Sequence, residues 1–291
     1  MNHPVTLVVI ASPGHSGQTW LSLLIGSNSQ SLSLGEVDVL YGLENVDRVC
    51  MLCGEGCEFW NAFNRAWPRE KNIFVALADF SGRSILSISK MEKFRAHLSD
   101  KRLRLKVIRL IRDGRAVTAS YLRKYPAWNY DDIVKKWVAS SRENDNFFKH
   151  IPPQDRVLIG YEKMVEQTEA TLRIICTFIG IEYECRMIEY WKIRHHLVDG
   201  NRGTVSFMQR HFGQEGNPGD KTFYNKQQPS SFRDERWREE LSPYHLYRFQ
   251  RIGGDLNGLY GYAPSERAGS LSEVAKAYFF KTAERSKHRE P

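Results

Sequence analysis

Four short apolar runs punctuate the chain, Thr6–Ala11, Ser84–Ile88, Lys106–Ile111 and Arg156–Gly160, and each has the length and composition of a buried strand. A helical pattern follows most of them. Thr19–Ser27 comes after the first, and Arg115–Lys124 after the third. Asp131–Phe148 comes next, with Val134, Trp137 and Val138 on one side. After the fourth run, Leu172, Ile175, Cys176 and Ile179 fall at the spacing of a single buried helix face. This alternation predicts an α/β fold: a central parallel β-sheet flanked by helices. Residues 200–228 are rich in Gly, Asn, Gln and Lys with little periodicity and read as a long mobile loop. Residues 264–291 read as a separable amphipathic helical tail, with Leu271, Val274, Ala275, Tyr278 and Phe279 as its apolar stripe, leaving 1–263 as the main domain.

Length changes little in this picture, since 291 residues suit one large α/β domain. Charge adds a direction. The 42 basic residues exceed the 34 acidic ones by 8, which favours an anionic ligand. Basic and aromatic residues do not interleave as in a nucleic-acid module, so nucleic acid is not expected as a partner. No apolar run is long enough to span a bilayer and the start lacks a signal-peptide pattern, so a cytoplasmic location is the default expectation. Three of the five cysteines crowd into Cys50–Cys57. No His or Cys close in sequence offers a fourth ligand, so the local reading is reduced thiols in a packed loop, with no metal.

The candidate chemistry starts at Ser12–Thr19, between the first strand and its helix. A small-residue turn there exposes backbone N–H groups at the positive end of a helix dipole, an arrangement that binds phosphate. The nucleoside-triphosphate version needs a lysine after its last glycine; here Gln18 follows Gly17, which disfavours a triphosphatase. Taken alone, the turn has an ordinary tight connection as its alternative reading. A second constellation lies at residues 105–124. Arg112 ends a strand, and Ser120 sits two turns into the following helix; guanidinium and hydroxyl can converge on one oxyanion. The alternative is Arg112 paired with Asp113 or a surface carboxylate. Two such sites on separate strands suggest a ligand with two separate phosphates.

Together these stretches resemble the sulfotransferase family, which uses 3′-phosphoadenosine 5′-phosphosulfate (PAPS) as donor and releases 3′,5′-bisphosphoadenosine (PAP). Pro13, Gly14, His15, Ser16, Gly17, Gln18, Thr19 and Trp20 are similar to the family's 5′-phosphosulfate loop. Arg112, Asp113 and Ser120 are similar to its 3′-phosphate motif, and Tyr161 in "LIGYEKM" to its adenine-side tyrosine. Gly35-Glu36, followed by Cys53-Gly54 and Cys57-Glu58-Phe59-Trp60, resembles bacterial members. Tyrosylprotein sulfotransferases carry a comparable Gly-Glu, which implies Glu36 as catalytic base. Many members have Lys or Arg where His15 stands; the resemblance implies that His15, with Lys90 as a further cation, stabilises the departing charge. Ser87 replaces a carboxylate frequent in such members. Gly200, Asn201 and Arg202 are similar to a segment that closes on the donor.

The resemblance thus implies a P-loop-like sulfotransferase fold and in-line sulfuryl transfer to an acceptor hydroxyl, less often an amine, with no required metal. The alternatives are an ATP-dependent kinase and a non-catalytic nucleotide-binding protein of the same fold. The acceptor, whether small molecule, carbohydrate, lipid or peptide, is left open, as is a homodimer. Tyr41, Phe59, Trp60, Phe63 and Phe207 are the candidate lining of its pocket, and His195, His196 and Asp38 are the reserve bases.

Overall fold

The computed structural model describes residues 4–42, 50–89, 92–214, 223–224, 226–230 and 233–268. They divide into two compact units. One comprises residues up to 12, 16–110 and 145–233; the other comprises 13–15, 111–144 and the residues from 234 on. The expected tail, beyond residue 268, and Lys90 lie outside the described residues.

The first unit is built on a five-stranded sheet of order β2-β3-β1-β4-β5, with β1 Val5–Ala11, β2 Ser31–Glu36, β3 Ile85–Ser89, β4 Leu103–Ile111 and β5 Arg156–Gly160. The β2/β3, β3/β1 and β1/β4 pairings are parallel. Every residue of β1 is buried, as a central strand covered on both faces requires. Helix α1 (Gln18–Gly26) is likewise buried on all sides. Its leucines sit in a core with Val8, Val9, Leu86, Ile88 and Val107, where each such side chain contributes about 1.5–3 kcal/mol. Helices α2 (Glu58–Ala66), α3 (Ile73–Ser81), α6 (Tyr161–Glu166), α7 (Thr168–Ile179) and α8 (Arg202–His211) complete this unit, and Leu172, Ile175, Cys176 and Ile179 form the buried face of α7 as expected.

Two elements depart from the expectation. The loop expected across 200–228 contains α8: Asn201 caps it by accepting from Thr204 N (2.9 Å), and Thr204, Val205, Phe207 and Met208 are buried along one face. Strand β2 was not expected. Its Ser33 is polar in composition yet satisfied in the core, because Ser22 Oγ of α1 lies 2.7 Å from Ser33 Oγ and 2.9 Å from Ser87 Oγ of β3.

The second unit is helical: α4 (Gly114–Lys124), most of α5 (Tyr130–Lys149), α9 (Trp237–Glu240) and α10 (Pro243–Leu259). Val117, Val134, Trp137, Leu246 and Phe249 belong to its own core. Gly114 is there because a Cβ would fall 2.4 Å from the Trp137 ring.

The strand order places the topological switch at β1 and β4. The chain leaves β1 toward β2 and leaves β4 toward β5, on opposite sides of a directly paired couple whose register is Ala11↔Arg109. In open parallel sheets, ligands bind where neighbouring strands diverge in this way. The segments leaving β1 and β4 at this end are those starting at Ser12 and Arg112.

Candidate active site

In the first unit, Gly17 opens α1 with φ 96°, and no side chain among the described residues caps the helix or places an acid in its first turn. The N–H groups of that turn therefore form a positive helix end suited to an anion. A Cβ on Gly17 would lie 2.6 Å from the Tyr161 ring, which starts α6, is buried, and meets the Trp20 ring edge-on at 6.2 Å. Gln18 does not face outward; its Nε2 donates to the carbonyls of Ile10 (3.1 Å) and Ser12 (2.9 Å), pinning the strand end to the helix start.

Glu36 is positioned by a β-bulge. The β2/β3 register shifts between Ser33 and Gly35, and Gly35 takes φ 76°, where a Cβ would lie 2.1 Å from the Asp199 carbonyl oxygen. The bulge re-aims the last residue of the strand, which is Glu36. A strap of residues 197–201 runs alongside. Val198 N donates to Leu34 O (3.0 Å), Glu36 N donates to Asp199 O (3.0 Å), and Asn201 N donates to Thr19 Oγ1 (2.8 Å). The strap thus joins the Gly-Glu element and α1 to Asn201 and Arg202, both exposed at the start of α8.

In the second unit, His15 is the meeting point. It holds φ 66°, rare for a non-glycine residue, and its Nδ1 lies 2.8 Å from Ser120 Oγ. Arg112 Nη1 donates to the His15 carbonyl (2.9 Å), and Arg112 Nη2 donates to the Asp234 carbonyl (3.1 Å). The expected alternative partner, Asp113, is engaged otherwise: it caps α4 and accepts Arg115 through both carboxylate oxygens. Tyr121 was not anticipated. Its ring centre lies 4.3 Å from that of His15, and a Cβ on Gly14 would come within 2.7 Å of its hydroxyl. The only sequence signal was adjacency to Ser120. Burial would raise the Asp234 carboxyl, but hydrogen bonding by Arg236 and the charges of Arg112 and Arg123 outweigh it and hold it at about 2.

The remaining candidates scatter. Trp60, Phe63 and Phe207 are core residues, whereas Tyr41 is exposed. Asp38 accepts from Lys93 N (3.1 Å). His195 is buried against Ser27 (3.2 Å), and desolvation pushes it down to about 3, which leaves a neutral core histidine. His196 corrects the reading of the cysteine cluster: it reaches Cys53 and Cys57, so the thiols do have a fourth partner, supplied from far along the chain.

Residues 104–185, from β4 through α7, match the model of the Sulfotransferase family. No curated protein matches the sequence. Among solved structures, the sulfotransferase domain of the Synechococcus PCC 7002 olefin synthase aligns over 90% of this chain and 96% of that domain, with TM-score 0.61 and 17% identity. The sulfotransferase domain of the curacin biosynthetic pathway aligns over 87% and 97%, with TM-score 0.57 and 19% identity. At such identities the likeness is one of fold. No helix among the described residues is long and apolar enough to cross a membrane. The family match across β4 to α7 is thus set in a fold that this chain shares with sulfotransferase domains along most of its length.

Proposed function

We propose that the protein transfers a sulfuryl group from PAPS to an acceptor hydroxyl, with an amine as the less frequent acceptor. The bonding of His15 to both Arg112 and Ser120 carries this reading, because it ties the turn after β1 to the arginine and serine after β4. The donor carries anionic groups at both ends of its ribose, and these two elements are the ones suited to bind them. The residues fit such a ligand: an α1 N-terminus without a side-chain cap, and glycines at 14 and 17 where any side chain would strike Tyr121 or Tyr161.

In this reading the N–H groups of Gly17 to Thr19 bind the 5′ end, Arg112 and Ser120 hold the 3′-phosphate, and Tyr161 flanks the base. Asn201 and Arg202 close on the donor from α8. When bound, the donor supplies the sulfuryl group, and charge builds on its leaving oxygen. His15 and Lys90 stabilise that charge, and Glu36 accepts the acceptor's proton.

The test is calorimetric titration of the full chain with PAP and with ATP. PAP should bind at least tenfold tighter than ATP, and Arg112→Ala should weaken PAP at least tenfold, about 1.4 kcal/mol, while Arg112→Lys controls for folding. Equal affinity for ATP, or PAP affinity unchanged in a folded Arg112→Ala, overturns the reading. A labelled-donor screen then reads Glu36→Gln, which should bind PAP normally and lose transfer.

A further inference from the structure

The cysteines of the 50–57 loop and His196 belong to one unit and converge. Cys50, Cys53 and Cys57 Sγ and a ring nitrogen of His196 all lie within 4.8 Å of one another. His196 Nδ1 is 3.2 Å from Cys57 Sγ and 3.8 Å from Cys53 Sγ. A tetrahedral zinc with Zn–S of about 2.3 Å and Zn–N of about 2.0–2.1 Å requires S···N edges of about 3.5 Å and S···S edges of about 3.8 Å. The two S···N distances bracket that edge. The remaining separations need a contraction on the order of 1 Å at most by the same geometry.

We infer that Cys50, Cys53, Cys57 and His196 form a closed structural site for one zinc ion.

The surroundings are arranged as such a site needs. Cys53 N donates to Cys50 Sγ (3.3 Å) and Gly54 N to Cys50 O (2.9 Å), and Gly54 takes φ 68° to turn the loop. A backbone N–H aimed at sulfur fixes the orientation of the Cys50 side chain within the loop. The His196 ring is held face-to-face by Phe59 at 4.7 Å, and its carbonyl accepts from Trp60 Nε1 (2.9 Å). Three thiolates and an imidazole select a thiophilic cation over magnesium or calcium. Four protein ligands leave no open position, so the ion staples rather than catalyses.

What it staples is specific. Met51 N donates to Leu197 O (2.8 Å), so the cysteine loop and the strap at 197–201 are already paired. The zinc fixes one end of that strap, and the other end bonds Glu36, Thr19 and the start of α8.

The inference does not rest on the proposed reaction, because metal content is read without donor or acceptor. The full chain, purified under reducing conditions, is assayed for zinc by elemental mass spectrometry, and then loaded with cobalt(II) for absorption spectroscopy. One zinc per chain is expected, with a thiolate-to-cobalt charge-transfer band and the intense visible bands of a tetrahedral site. Cys53→Ser and Cys57→Ser should lower cobalt affinity at least a hundredfold, whereas Cys185→Ser, at an exposed cysteine outside the cluster, should leave it unchanged. Absence of zinc together with no charge-transfer band in the unsubstituted protein overturns the inference, with no variant needed. So does equal metal content in Cys53→Ser and Cys57→Ser, or a mass showing a disulfide within the cluster.

Discussion

At position 17 the backbone takes φ 96° and the Tyr161 ring fills the space where a side chain would begin, 2.6 Å from an ideal Cβ. Both constraints act on one residue, and they separate by mutation. Gly17→Ala meets a left-handed backbone penalty of about 1–2 kcal/mol, plus a clash with a buried aromatic ring. Its unfolding free energy in urea should therefore fall by at least 2 kcal/mol, a sum of those contributions. In a cycle with Tyr161→Ala, the steric part should be recovered and the backbone part should not, giving a favourable coupling of about 1 kcal/mol. Strict additivity would show that the ring does not confine this turn. The residues of the turn were readable in the sequence because small size and glycine spacing are themselves the signal. Tyr121, which packs on His15, was not, since an aromatic residue on a helix carries no mark of what it faces.

Among elements, those with continuous apolar runs were readable: β1, β4 and β5 coincide with Val, Ile and Leu stretches. Strand β2 hid because three serine hydroxyls, at 22, 33 and 87, satisfy one another inside the core, and composition counts them as polar. Helix α8 hid behind the Gly, Asn and Gln content around it. Its start depends on one side chain. Asn201 Oδ1 accepts from Thr204 N (2.9 Å), and the Asn201 amide bonds Thr19 Oγ1 (2.8 Å), so cap and strap meet at this residue. Asn201→Ala should cost about 1 kcal/mol in unfolding free energy, and Asn201→Asp, which keeps the accepting oxygen, should cost less. Hydrogen exchange should quicken at Gly203 to Val205 in the alanine variant alone. Unchanged protection there would mean that packing of Val205 and Met208, rather than the cap, holds the helix start.

At the scale of the whole molecule, some of the architecture depends on partners that sequence distance conceals. His196 meets Cys57 across 139 residues, which no local spacing announces. Asp234 likewise collects Arg112, Arg123 and Arg236 from separate segments of the second unit. That cluster sets a pH dependence. The folded carboxyl titrates at about 2 against a reference of 3.8, so the folded state binds the proton less readily than the unfolded chain. The carboxylate's contribution, on the order of 2 kcal/mol, is therefore complete above pH ~4 and is lost as pH falls through about 2. Below that range the three guanidiniums face a neutral acid, in a chain that already carries a net charge of +8 at pH 7. Urea unfolding of the parent between pH 5 and 2 should show this acid loss; Asp234→Asn should be less stable at pH 7 and should fall less steeply over the same range. Parallel curves for the two proteins, offset by a constant, would mean that the arginines stabilise this region by hydrogen bonding to its carbonyls and not through the Asp234 charge.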